Sequence, residues 1–140
     1  MLYVDTSVLV ALCTHEAKTA DVTRWYGACK AELASAAWCV TEFASAMGFK
    51  QRTGQLTQVQ AQTAWLQFER VCANDLQLLP VDAVTFHRAA MLTMDASSGL
   101  RAGDALHLAC AMQANAHGMV TLDGVLGKIA LRHKIKPVAI

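Results

Sequence analysis

Short apolar runs alternate along this chain with longer segments of helical period, and that alternation limits what it can fold into. Residues 2–5, Leu33–Ala36, "LQLLPV" (76–81), "MVTLD" (119–123) and "KPVAI" (136–140) read as strands. Several are apolar throughout, without the every-other-residue polarity of a sheet with one wet face. Both faces are therefore expected to be covered, which means an α/β fold with a mostly parallel central sheet. A length of 140 residues suits one domain, 1–140, around one core.

The intervening helices are marked by spacing and by caps. Thr6 or Ser7 is expected to cap a helix that buries Val8, Leu9 and Leu12. A second helix over residues 17–30 places Val22, Trp25, Tyr26 and Cys29 on one side. A third runs from Trp38 to Lys50, with Gly54 as its stop. The next presents Trp65, Phe68 and Cys72 as one ridge, with Val59 and Leu66 as another. Asp82 is expected to cap a helix that turns Phe86, Ala90 and Met94 inward, and "DASSGL" is a loop. "RAGDALHLACAMQANAHG" is a helix closed by Gly118, and a short helix ends near Leu131.

Composition excludes several classes. Hydrophobic residues are 54% and charged residues 16%, unlike a disordered chain, and a net charge of +1 gives no global attraction to nucleic acid. The five cysteines (13, 29, 39, 72 and 110) are odd in number and lack C-x-x-C spacing. They read as reduced packing residues of a cytoplasmic protein. The first apolar stretch has no basic start and carries Asp5 in its middle, unlike a secretory leader. The longest uncharged span, Ala105–Leu122, holds His107, Gln113, Asn115, His117 and Gly118, so no membrane helix is expected.

Against this background four acids stand out. Asp5 interrupts the apolar "LYVDTSVLVAL", and Asp123 also ends a strand. Glu42 sits in "CVTEFASAM" and Asp104 in the first turn of an otherwise uncharged helix. Taken singly, Asp104 has an ordinary use as a helix cap and Glu42 as an exposed polar residue. Asp5 is harder to place, because a strand-end acid in an apolar run has few structural uses. Open α/β sheets bind ligands outside the carboxyl ends of their strands, where Asp5 and Asp123 are expected. Carboxylates gathered there repel one another unless a divalent cation with a preference for oxygen, Mg²⁺ or Mn²⁺, joins them. No histidine or cysteine cluster points to zinc.

"YVDTSVLVAL", "TEFASA", "LRAGDALHLACA" and "VTLDGVLGKIA", in this order, resemble the motifs of PIN-domain ribonucleases, and among them VapC-like toxins of toxin–antitoxin pairs. The resemblance spans nearly the whole chain. It implies a three-layer α/β/α sandwich and an acidic pocket of Asp5, Glu42, Asp104 and Asp123. Thr6 matches the hydroxyl that follows the first acid, and Thr121 a hydroxyl two residues before the last. Where many relatives have a charged residue and then phenylalanine after the last acid, this chain has Gly124, Val125 and Leu126.

The expected chemistry is hydrolysis of RNA phosphodiesters, with Mg²⁺ (or Mn²⁺) on the four acids activating water and neutralising phosphate charge. Thr6, Ser7 and Thr121 would orient the acids, since no base stands ready to make Ser7 a nucleophile. Lys50, Arg52 and Arg101 are candidate phosphate contacts, with Lys128, Arg132, Lys134 and Lys136 in the tail. His107 shares a helix face with Asp104 and has two uses, packing or positioning. Trp25, Trp38 and Trp65 read as packing residues. The resemblance implies an antitoxin whose tail fills the groove; residues 54–72 offer a face for that partner or for a homodimer. The rival is a PIN-like module that binds RNA or protein without cutting.

Overall fold

Side-chain alternation along β1 (Leu2–Val4) divides the interior in two. Tyr3 is fully buried on one side of the sheet and Val4, 2% exposed, on the other. β1 lies at the centre of a five-stranded sheet in a computed structural model that describes residues 1–140. Its partners are β2 (Leu33–Ala36), β3 (Leu76–Leu79), β4 (Gly118–Val120) and β5 (Lys136–Pro137). The spatial order is β3-β2-β1-β4-β5 and every pairing is parallel.

Parallel neighbours need crossovers, and helices supply them. α1 (Thr6–Cys13), α2 (Thr19–Ala28), α3 (Trp38–Arg52) and α4 (Gln58–Asn74) cover the Val4 face. α5 (Ala83–Met94), α6 (Ala102–Gln113) and α7 (Gly124–Arg132) cover the Tyr3 face. The result is the three-layer α/β/α sandwich expected from the sequence. Phe43 of α3 and Phe68 of α4 stack with ring centroids 4.2 Å apart at the centre of the first layer. No helix is long and apolar enough to cross a membrane.

Local chemistry sets the boundaries. Thr57 and Gln60 form a reciprocal capping box that starts α4. Gly54, at φ +75°, takes the left-handed conformation that ends α3, as its position suggested.

Several expectations are corrected. Asp5, rather than Thr6 or Ser7, caps α1: β1 stops one residue earlier than expected and the Asp5 side chain accepts the Val8 N–H. Gly118 does not close α6, which ends at Gln113; Asn115, at φ 52°, makes the left-handed turn and Gly118 opens β4. A Cβ at Gly118 would stand 2.7 Å from Leu2 Cδ2, so the glycine serves close strand packing. In α5 the inward ridge is Thr85, Ala89 and partly buried Leu92, whereas Phe86, Ala90 and Met94 are exposed. Asp82 binds both the N–H and the hydroxyl of Thr85, which sets the phase one residue away from the apolar stripe. On α4 Phe68 is buried, but Val59 and Leu66 face outward, 69% and 57% exposed.

The phase of α5 is testable. Ala89→Glu places a charge against the second layer and should destabilise by about 3 kcal/mol or more. Ala90→Glu should stay within about 0.5 kcal/mol of the parent in denaturant unfolding.

Candidate active site

The chain builds outward from β1 to β2 and β3, then returns to place β4 on the other side of β1. Such a reversal leaves a crevice beyond the carboxyl ends of the two strands. Asp5 follows β1 directly, and Thr121, Leu122 and Asp123 follow β4.

Asp5 is 4% exposed. Its Oδ1 accepts the Ser7 hydroxyl at 2.6 Å and the Val8 N–H at 3.3 Å, and its Oδ2 accepts the Thr121 hydroxyl at 2.6 Å. Burial raises its carboxyl above the ordinary range, against the opposing pull of these donors. Ser7 Oγ in turn accepts the Leu122 N–H at 3.0 Å, and Thr121 Oγ1 accepts the Asp123 N–H at 3.0 Å. Ser7 and Thr121 therefore tie the two strand ends together across Asp5. Asp123 caps α7, accepting the Val125 and Leu126 N–H groups on Oδ1, and leaves Oδ2 without a cap bond.

Glu42 enters from α3. Its Oε1 accepts the Thr6 hydroxyl at 2.7 Å and lies in hydrogen-bond contact with His107 Nε2. His107, 2% exposed, also places Nε2 3.0 Å from Thr6 Oγ1 and Nδ1 2.8 Å from the Tyr3 hydroxyl. The tautomer follows from the partners. Tyr3 Oη already accepts the Ala36 N–H, so its own hydrogen is directed to Nδ1. Nε2 faces only acceptors and carries the other hydrogen. Burial pushes Glu42 up, but the hydrogen bond with His107, with the Thr6 and Trp38 contributions, outweighs it and holds the carboxyl below its usual value. His107 is thus both buried and part of the site. Its ring nitrogens meet Tyr3, Thr6 and Glu42, so the structure places it as a packed residue that holds Glu42.

Gly103 lets this arrangement close. A Cβ there would lie 2.8 Å from Glu42 Oε2, so only glycine admits the second carboxylate oxygen beside α6. Asp104 follows in the first turn of α6. It does not cap the helix, whose N-cap residue is Arg101 without a side-chain cap bond. Burial, then the negative charges of Asp123, Asp5 and Glu42, raise its carboxyl. Glu42, Asp104 and Asp123 therefore face one cleft, and Asp5 is close enough for its charge to act on Asp104.

Glu42, Asp104 and Asp123 line an open cleft of about 680 Å³, with Arg52 and Arg101 on its walls and Asp5 buried below. Trp38 lines it too, with its buried indole N–H beside Glu42 but outside good hydrogen-bond geometry. Lys50 does not reach this cleft. It pairs with Glu16 at 2.7 Å beside a neighbouring depression. The register of Gly118 with Lys136 puts the tail cations Lys134 and Lys136 at the opposite, amino-terminal edge of the sheet. No three His, Cys, Asp or Glu side chains are gathered at metal-ligating range. Fewer direct ligands suffice for Mg²⁺, which commonly takes one or two carboxylates and keeps several waters.

A PIN domain model matches residues 2–131. The chain belongs to the PIN-domain family. No curated protein sequence matches it. Among solved structures, this PIN domain is similar to VapC20 of Mycobacterium tuberculosis, a sarcin-ricin loop cleaving toxin. The TM-score is 0.74 at 15% identity, covering 92% of this chain and 95% of that one. FitAcB of Neisseria gonorrhoeae aligns with TM-score 0.73 at 16% identity, over 99% and 97% of the two chains. VapBC2 of Rickettsia felis, bound to a DNA fragment from its promoter, aligns with TM-score 0.62 at 12% identity, over 99% and 98%. These likenesses concern the fold.

A carboxyl raised in the folded state holds its proton more tightly there than in the unfolded chain. Stability therefore falls as pH rises from the ordinary aspartate value through Asp104's raised one, and stays lower above it. In EDTA, Asp104→Asn should melt above the parent at pH 7. The difference should close below about pH 4, where the parent carboxyl is protonated in both states. Thermal unfolding across pH checks this.

Proposed function

We propose that this PIN domain is a Mg²⁺- or Mn²⁺-dependent endoribonuclease, and that it is the toxin of a type II toxin–antitoxin pair. The observation that carries the reading is the convergence of Asp5, Glu42, Asp104 and Asp123 at the reversal of strand order, in a cleft walled by Arg52 and Arg101.

The donor set suits a hard divalent ion. It consists of carboxylate oxygens, with no thiolate among the cleft residues, and His107 commits both ring nitrogens to Tyr3, Thr6 and Glu42. Asp104 and Asp5 Oδ2 would be the main ligands, with Glu42 Oε2 and Asp123 Oδ2 acting directly or through water. Such an ion would lower the pKa of a bound water and supply a counter-charge for the phosphate. Ser7 and Thr121 fix the Asp5 carboxylate, while Thr6 and His107 fix Glu42 by Oε1 and leave Oε2 beside Gly103. Arg52 and Arg101 bind flanking phosphates and hold the strand in register over the acids.

The chain's acidic cleft would also attract an arginine from an antitoxin, and structural relatives include the two-protein assemblies VapBC2 and FitAB. Exposed Val59 and Leu66 on α4 support a protein-binding face for that partner or a second copy. The absence of a membrane-crossing helix is compatible with a cytoplasmic place of action. A non-catalytic module on the same scaffold is the weaker alternative, because it gives no use to four mutually repelling acids.

Incubation of the pure protein with total RNA tests the reading. Cleavage should need Mg²⁺ or Mn²⁺, stop with EDTA, and fall at least about 100-fold in Asp5→Asn and Asp104→Asn. Cleavage that survives chelation, or is unchanged in both variants, would overturn it. Gly103→Ala should keep a near-parent melting temperature yet cut about tenfold more slowly or worse, because its methyl displaces Glu42 Oε2.

A further inference from the structure

Phe49 lies on α3 where the core has no use for it. The inward face of that helix is Cys39, Phe43 and Met47, all buried, while the Phe49 ring is 55% exposed. It stands between two depressions and lines both. One is the acidic cleft. The other, about 460 Å³, is bounded by Ser7, Glu16, Lys50 and Gln55, and shares Glu42, Ala46 and Phe49 with the first. Phe49 follows Glu42 by seven residues, two turns and about 10 Å along the same side of the helix. That is within reach of a base attached next to a phosphate held at the acids.

We propose that the second depression is a nucleobase subsite, with the Phe49 ring as the surface on which one base flanking the cleaved phosphate stacks. Three observations combine. An exposed aromatic face offers stacking to any base. The Lys50 ammonium and Glu16 carboxylate lie 2.7 Å apart and only 12% and 31% exposed, with Gln55 Oε1 3.5 Å from the ammonium. A fixed donor beside a fixed acceptor complements the mixed donor–acceptor edge of a base. The depression also adjoins the cleft, sharing Glu42 and Ala46 with it, so a single-stranded RNA that crosses Phe49 occupies both at once. In this arrangement Lys50 reads a base edge rather than a phosphate, and Glu16 holds it in position. The helix end supports this geometry: Thr53 returns its N–H and hydroxyl to the Phe49 carbonyl, at 3.0 and 2.9 Å.

This inference rests on the ribonuclease reading, and the test separates the two. Wild type, Phe49→Ala and Phe49→Trp are compared in EDTA for binding to short single-stranded RNAs carrying 2-aminopurine at successive positions. Fluorescence quenching reports stacking. Cleavage and cut-site preference on total RNA are mapped in parallel with Mg²⁺. Phe49→Ala should bind about 5- to 150-fold more weakly, lose quenching at one position and relax the base preference beside the cut. Phe49→Trp should retain all three. Glu16→Gln should alter the preferred base while leaving stacking in place. Melting temperatures close to the parent confirm folding, as expected for an exposed position.

A wild type that cuts RNA, with Phe49→Ala matching it in affinity, quenching and preference, would overturn the subsite and leave the nuclease intact. A wild type that neither binds nor cuts RNA would overturn both. Unchanged RNA binding by Phe49→Ala, with lost affinity for an arginine-containing peptide, would assign the ring to a protein partner and overturn the subsite.

Discussion

Mutual repulsion among carboxylates is the constraint to which the rest of this structure answers. Asp5, Glu42, Asp104 and Asp123 come from four separate parts of the chain, and three of them are fixed by different local devices. Asp5 is held by two hydroxyls and the first turn of α1, and Asp123 by the first turn of α7. Glu42 is gripped by Thr6 and His107. Asp104 has the least support, and burial and its acidic neighbours dominate its carboxyl. The local donors oppose burial at Asp5 and outweigh it at Glu42, whereas at Asp104 burial and the acidic neighbours act together. A chain selected for stability alone has no reason to keep that arrangement, whereas a chain that binds a cation between the acids does.

The sheet makes the convergence possible. Because β4 lies beside β1 rather than beyond β3, the loops after β1 and β4 diverge and leave room above the strand ends. α3 and α6 lie in different outer layers, yet both begin near that edge, so Glu42 and Asp104 enter from opposite sides of the sheet. The Tyr3–His107–Glu42 chain then links the middle strand to both helices. Tyr3 is a core residue by burial and a support of the site through its hydroxyl, and packing and function share the same atoms there.

Much of this was legible in the sequence because it depends on residue type and spacing. Apolar strands between helical segments pointed to the α/β sandwich, and acids out of character with their surroundings marked the four carboxylates now proposed as the site. What escaped were effects of tertiary partners. The phase of α5 depends on which side of Thr85 meets the second layer, and the sequence shows Phe86 and Met94 as equally apolar candidates. The cap of α1 depends on where β1 stops pairing, a matter of one residue. The pairing of Lys50 with Glu16, and the partners of His107, join residues 34 and 65 positions or more apart. No local pattern records such contacts. Gly103 carried a readable signal, a glycine directly before an acid in a helix start, but its meaning depends on Glu42 arriving opposite.

The central claim is that these acids form a seat for one hard cation. Crystals soaked in Mn²⁺, with anomalous differences collected near the manganese edge, measure it directly. The account predicts a peak between Asp104 and Asp5 Oδ2, with oxygen ligands at a little over 2 Å, roughly the distance expected for such ions. A well-diffracting soak with no peak in this cleft, or with manganese only at other surfaces, would contradict it.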